Sequence, residues 1–295
     1  MKIQSISIVV PTKGCINDCK FCVSKMHCSP YVDKFNEIQY RKRIKFAKNN
    51  GVNTMILTGT GEVLQNIGFL KKLRVVLEKE HHPFPNVEVQ TTGTMLMESF
   101  RKSDNTLDRL YPNLELLDDL GVNTISLSVS DVFDSDNNWN IIGAPEKFRH
   151  SLVEICNVLK EHGFNIRLSL NMTNVYDGVN PKEILDGCSY LNANQITFRK
   201  LYYPSNTTNT EQAEWVRDNA CDKSVFTELN GFIEQFGKPL YRLPFGPIAY
   251  SIKGMSTVID DNCMNKDILE KLKYVILREN GKLYCQWDDE GSLLF

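Results

Sequence analysis

Along the first 205 residues, short runs of β-branched and apolar residues alternate with longer stretches in which apolar positions recur every three or four residues. That alternation is the signature of repeated βα units around a parallel sheet. Strands are predicted over Ile3 to Val10, Thr54 to Leu57, Val87 to Thr91, Thr124 to Val129, Ile166 to Met172 and Gln195 to Leu201. The clearest helix is predicted over Glu146 to His162, where Phe148, Leu152, Ile155 and Leu159 recur at helical spacing after Pro145, and Gly163 supplies the stop. Another covers Asp33 to Asn49. Its Arg41, Lys42, Arg43 and Lys45 read as a solvated face, because no aromatic residues interleave them as in a nucleic-acid patch. Residues 131–143 and 203–210 read as polar loops at the strand ends where parallel α/β proteins bind ligands.

Beyond a helical region from Glu211 to Phe236 the pattern changes to short extended pieces, with Pro239, Pro244 and Pro247 breaking any long helix. A hairpin is predicted at the end, Tyr274 to Arg278 and Lys282 to Trp287 around Asn280-Gly281. The expected organisation is a βα domain over residues 1–205 and a C-terminal extension over 206–295 that covers the mouth of the first.

Composition narrows the function classes. The formal net charge of the 295-residue chain is -2, which gives no excess to recruit nucleic acid or a membrane surface. Apolar residues are 42% of the chain, yet no uninterrupted run approaches the roughly 20 residues that span a bilayer. The amino-terminal MKIQSISIVVPTKGC has no small-residue cleavage site, and the chain reads as cytoplasmic. Nine cysteines, three of them within eight residues, suit thiolate chemistry in a reducing compartment better than a disulfide framework.

Those three, Cys15, Cys19 and Cys22, sit on a loop directly after the first predicted strand. Three local thiolates can hold a four-iron cubane and leave one iron open to another ligand. The C-x3-C-x2-C spacing, with Phe21 before the last cysteine, resembles the signature of the radical S-adenosylmethionine superfamily. The resemblance implies a partial (β/α)6 TIM-like barrel, a [4Fe-4S] cluster on Cys15, Cys19 and Cys22, oxygen sensitivity, and S-adenosylmethionine cleaved reductively to a 5'-deoxyadenosyl radical. Zinc held by the same cysteines with His27 or Cys28 is the competing reading.

Later strand ends carry companion motifs. Thr58-Gly59-Thr60-Gly61-Glu62 is similar to the family's Gly-Gly-Glu turn, which implies a role for Gly61 and Glu62 at the methionine amino group, although Thr60 replaces the first glycine. Gln90-Thr91-Thr92-Gly93 resembles the third-strand motif of the GTP-cyclising type of molybdenum-cofactor synthesis, which places Thr92 toward substrate. Alternation brings Ser126, Ser128 and Ser130 to one side of the fourth strand, and Ser126 and Ser128 are candidates for S-adenosylmethionine. The fifth strand alternates Arg167, Ser169 and Asn171 against Ile166, Leu168 and Leu170; Asn171 is the candidate for adenosine and Arg167 for an anionic substrate. The sixth implies Tyr203 along the adenine and Lys200 or Arg199 toward substrate, one of the two pointing outward. In the tail Asn280-Gly-Lys-Leu-Tyr-Cys285 is similar to an auxiliary-cluster segment. Because Lys266 occupies the position of a second cysteine beside Cys263, a second cluster on Cys263 and Cys285 is not expected. Trp287, Asp288 and Asp289 are exposed candidates at the substrate pocket, and Cys156 and Cys188 read as core.

The expected function is hydrogen abstraction from a small-molecule or nucleotide-derived substrate, with an electron donor such as flavodoxin or ferredoxin. Modification of RNA or a short peptide is the alternative within the family. Outside it stands a non-catalytic iron–sulfur or zinc protein acting as sensor or scaffold.

Overall fold

In the computed structural model the residues described are 3–26, 31–101, 109–203, 210–243, 246–260, 272–287 and 290–295. The class is α/β: parallel βα units of a partial TIM-like barrel whose sheet is not closed. Two compact units make up the chain, one of Met1–Ile16, Pro30–Ile125 and Asp267–Phe295, the other of Asn17–Ser29 and Ser126–Lys266.

In order along the chain come β1 (Ile3–Val10), α1 (Val23–Met26), α2 (Glu37–Asn49), β2 (Thr54–Gly59), α3 (Ile67–Lys79), β3 (Asn86–Thr91) and the short β4 (Phe100–Arg101) and β5 (Arg109–Leu110). Then follow α4 (Pro112–Asp119), β6 (Thr124–Val129), α5 (Ser135–Ile142), α6 (Leu152–Glu161), β7 (Asn165–Met172), α7 (Pro181–Tyr190) and β8 (Gln195–Lys200). The remainder is α8 (Thr210–Asn219), α9 (Lys223–Phe236), β9 (Lys238–Arg242), β10 (Ile248–Ile252), β11 (Met255–Asp260), β12 (Leu272–Leu277) and β13 (Leu283–Tyr284).

The first unit orders its strands β13-β12-β1-β2-β3. β1 runs parallel to β2 with Ile6 opposite Met55, and β2 parallel to β3 with Met55 opposite Val87. Ile6, Ile8, Leu57 and Val89 are buried, as strands covered on both faces require. Beneath them Phe35 packs on Tyr40 and edge-on to Phe69, with centroids 4.7 and 5.5 Å apart. The second unit runs β7-β8-β11-β10-β9, with β6 beside β7. One face of β7 and β8, formed by Leu168, Leu170, Met172, Ile196 and Phe198, is buried core; the other carries Arg167, Ser169, Asn171, Gln195, Thr197 and Arg199.

The structure differs from the sequence reading at several elements. Residues 131–143 contain α5 rather than a polar loop: Asp134 caps it by accepting from the amides of Asp136 and Asn137, Trp139 and Ile142 are buried, and Gly143 ends it in the left-handed conformation. The helix expected over 146–162 is broken, because Arg149 and Ser151 are extended and α6 begins only at Leu152. Trp139 Nε1 donates to the carbonyl this break frees at His150. Asn36 caps α2, so that helix starts four residues later than Asp33. Asp222 caps α9 and divides the expected 211–236 helix in two.

Residues beyond 205 supply strands to both units: β11 lies parallel to β8, and β12 parallel to β1 with Ile6 opposite Val275. The final hairpin forms with Gly281 at φ +75°, but its second strand is only Leu283–Tyr284. No helix among the described residues is long and apolar enough to cross a membrane.

Candidate functional site

Each strand end contributes differently, and the first unit supplies the glycine turn. A Cβ on Gly61 would strike Thr12 Oγ1 and come within 3.0 Å of the Gly14 carbonyl; one on Gly59 would lie 2.9 Å from the Val10 carbonyl. Two glycines are therefore what let the turn after β2 lie against the segment that leaves β1 toward Cys15. Gln65 Oε1 accepts from the amide of Ile16, the residue after Cys15, at 2.7 Å.

Glu62 is 3% exposed, and both its oxygens point at the end of β3. Oε1 accepts from Thr91 Oγ1 at 2.6 Å and Oε2 accepts from the Thr92 amide and hydroxyl at 3.0 and 2.8 Å. The Gly93 amide donates in turn to Thr91 Oγ1. A carboxylate so engaged fixes the turn to the end of β3. The Thr92 hydroxyl, expected on the substrate side, is bound to Glu62 and to Thr94 Oγ1.

In the second unit Cys19 is flanked by two backbone anchors. The amides of Asp18 and Lys20 donate to the carbonyls of Gly143 and Ile141, at the end of α5, over 3.2 and 3.1 Å. Gly143 has φ +66°, and a Cβ there would lie 2.5 Å from the Asp18 carbonyl oxygen. The Cys22 amide donates to Cys19 O, closing a turn between the two thiols, and α1 follows directly. Met26, buried with Leu201 and Val216, anchors α1, and Phe21, Tyr202, Trp215 and Ala220 pack around that cluster. Phe21 thus gives part of its ring to Trp215, centroids 6.3 Å apart.

Lys25 pairs with Asp18 inside the loop. The bond from Lys25 holds the Asp18 carboxyl below its ordinary value. The same bond raises Lys25, and the Cys22 and Cys19 sulfurs add to the effect. A permanent cation beside two prospective thiolates offsets their charge.

Cys15, Cys19 and Cys22 are half-buried and in no disulfide. No three His, Cys, Asp or Glu side chains among the described residues are gathered as ligands of a single metal ion. Three cysteine thiolates are the donor chemistry a four-iron cubane takes, one at each of three irons. His27, Cys28, Cys263, Asp288 and Asp289 lie outside the described residues. Cys285 is half-buried near the last turn, where its amide donates to Ser292. Cys156 and Cys188 are core thiols: burial pushes Cys156 up to about 12 and raises Cys188 as well.

At the carboxyl ends of β6 to β8, Asn171 Nδ2 donates to Ser128 Oγ at 2.9 Å. Ser126 is 1% exposed, and its hydroxyl has no partner among the described residues. Arg167 and Lys200 are not placed as the sequence reading expects. Arg167 lies four residues before Asn171, roughly 13 Å back at 3.3 Å per residue, and its guanidinium donates to Gln195 Oε1. Lys200 pairs with Met172 and so shares the face of the core residues, whereas Arg199 pairs with Asn171 on the polar face. Tyr203 is 57% exposed, Tyr202 packed. Trp287 meets Tyr274 at 6.3 Å, and its carbonyl accepts from Arg278. The sequence reading does not single out Thr91 or Gly143, and it leaves Arg199 as the alternative to Lys200. Gly143 is signalled only as a helix stop, and then only if α5 is recognised.

The family model described as the Radical SAM superfamily matches residues 9–191, well over half of the chain. No curated protein matches. Among solved structures, Streptococcus suis SuiB bound to its precursor peptide SuiA is 13% identical, with TM-score 0.58 over 96% of this chain. Native anSMEcpe with bound AdoMet and the Kp18Cys peptide is 11% identical, with TM-score 0.59 over 99% of this chain and 77% of its own. HydG, a maturase of the [FeFe]-hydrogenase, is 12% identical, with TM-score 0.51 over 77% of this chain. The present chain spans 59% of the SuiB chain and 48% of the HydG chain. At these identities the likeness is one of fold.

Two substitutions test the anchors. Gly143→Ala is expected to retain helical circular dichroism but lose most of the iron and sulfide bound after anaerobic reconstitution; wild-type metal content would show that the contact with Asp18 does not seat the loop. Glu62→Gln turns a donor toward other donors, and urea unfolding should show a loss of about 1–3 kcal/mol, an unchanged midpoint being the contrary result.

Proposed function

Since this chain belongs to the radical SAM superfamily and is an enzyme of that class, we propose that Cys15, Cys19 and Cys22 hold its [4Fe-4S] cluster and that its substrate is a small molecule or derives from a nucleotide. The observation that carries the reading is the seating of the three-cysteine loop at the carboxyl end of β1, with Cys19 flanked by the α5 carbonyls and Cys22 followed by the buried Met26. When bound, the cluster and S-adenosylmethionine supply an electron and the 5'-deoxyadenosyl group that takes hydrogen from the substrate.

The chain's own residues bind, orient and shield. The backbone of the Gly59 to Gly61 turn, held by Glu62 to β3, faces the methionine amino group. Asn171, with Ser128 as its neighbour, and the unpartnered Ser126 hydroxyl serve the adenosine and ribose. Phe21, braced by Trp215, and Tyr203 supply aromatic surface beside the adenine. Arg167 is not assigned to substrate, because its guanidinium is engaged near the opposite end of β7. The Thr91-Thr92-Gly93 end of β3 and the order of the motifs support a place near the GTP-cyclising type of the family, with a different tail. An electron donor of the flavodoxin or ferredoxin kind completes the system.

Reductant-dependent release of 5'-deoxyadenosine by the anaerobically reconstituted protein is the decisive assay. Cys15→Ala, Cys19→Ala and Cys22→Ala should each abolish it, and undiminished product from all three variants would overturn the mechanism. Asn171→Ala should weaken S-adenosylmethionine binding about tenfold, the value of one lost hydrogen bond to a polar ligand group, with iron content unchanged; equal affinity would remove Asn171 from the site.

A further inference from the structure

Arg199 stands apart from the other arginines. Arg41 pairs with Glu80, Arg74 with Glu78 and Asp119, and Arg217 with Asp218. Arg43, Arg149, Arg167, Arg242 and Arg278 each donate to a side-chain or backbone oxygen. Among the arginines whose side chains are described, Arg199 alone has no hydrogen bond or ion pair to a described residue, and its Nε is buried without a partner. A guanidinium cannot shed its proton to escape that position, so a shielded N–H without an acceptor carries a standing desolvation cost.

Its location gives the cost a use. Arg199 is next to last in β8 and opposite Asn171, which is next to last in β7. Asn171 in turn donates to Ser128, so Ser128, Asn171 and Arg199 form one polar row near the carboxyl ends of three strands, where parallel α/β sheets receive ligands. Behind that row lie Ser169 opposite Thr197, then Arg167 opposite Gln195, whose guanidinium is already engaged. The row's one free cation, among the described side chains, therefore lies at the ligand end.

We propose that Arg199 receives an anionic group of the substrate, a phosphate or a carboxylate, in the planar two-point geometry a guanidinium offers such groups. This narrows the substrate class within the reading above and rests on it. Ser128 and Asn171 are committed to the nucleoside cofactor in that reading, and Arg199 is the next position outward along the same row. The residue opposite Arg199 on β11 is Asp260, and an internal pair with that residue is the alternative to be tested.

The experiment uses the full chain, reconstituted anaerobically and saturated with S-adenosylmethionine, and titrates pyrophosphate and succinate separately by calorimetry. The wild-type protein should bind at least one of them. Arg199→Met should bind it at least about tenfold more weakly and Arg199→Lys should recover part of the loss, a point charge replacing a fork. Affinity for S-adenosylmethionine should stay within about twofold in both variants. Wild-type protein that binds neither anion, or Arg199→Met that binds as tightly as wild type, would overturn the proposal. A tenfold drop in S-adenosylmethionine affinity would also overturn it, by giving the guanidinium to the methionine carboxylate. So would a gain of about tenfold in anion binding by Asp260→Asn, which would show the cation to be neutralised internally. Absent 5'-deoxyadenosine with intact, Arg199-dependent anion binding would instead fault the parent reading, so the two failures are separable.

Discussion

Two backbone hydrogen bonds, from the amides on either side of Cys19 to the carbonyls of Gly143 and Ile141, carry the cysteine loop of the second unit. The loop has no ladder to satisfy its amides, and its one large apolar contact is that of Phe21 with Trp215. Its shape must come from outside. Here the source is the end of α5, where the last carbonyls of a helix lack intrahelical partners. The arrangement resolves two deficits at once, since the loop needs acceptors and the helix end needs donors. It also explains Gly143: a left-handed residue turns the chain away, and the missing side chain leaves room for the Asp18 carbonyl.

The first unit meets the same problem with a side chain. Its glycine turn lies too close to the departing β1 segment to carry a Cβ, so no packing can fix it there. Glu62 fixes it from the other side, through the hydroxyls and amide at the end of β3. The side chain of the turn's acidic residue thus holds the turn in place. The arrangement is consistent with Thr60 standing where a glycine is usual, since only Gly59 and Gly61 have a Cβ position contested by the β1 segment or the turn itself.

Much of this is legible in the sequence where one local rule decides the outcome. All six expected strands occur, because runs such as Ile166 to Met172 alternate cleanly and face a buried layer. The cysteine spacing and its place after β1 are visible for the same reason. Illegible are features set by distant partners. Residues 131–143 look like a loop because their polar residues outnumber the apolar ones, yet Trp139 and Ile142 suffice to bury one face once Asp134 caps the turn. Nothing local predicts that β12 runs parallel to β1, more than 260 residues away. The side of the sixth strand also depends on register: Arg199 and Lys200 are equivalent until Asn171 is seen opposite the former.

The polar face of β7 and β8 carries a folding cost. Its opposite face is built of leucines, isoleucine, methionine and phenylalanine, all buried, and that layer alone stabilises the strands. On the polar face Arg199 holds a shielded N–H with no described partner, and on neighbouring β6 the Ser126 hydroxyl is in the same condition. An unsatisfied buried donor costs about 1–3 kcal/mol, a large part of the margin by which a folded chain is stable. Apolar residues at these positions would serve folding better. For Arg199, near the carboxyl end of β8, such a cost is most simply explained by a partner that arrives after folding and satisfies it. The alternation that builds the strand thus assigns one side to the core and leaves the other for chemistry.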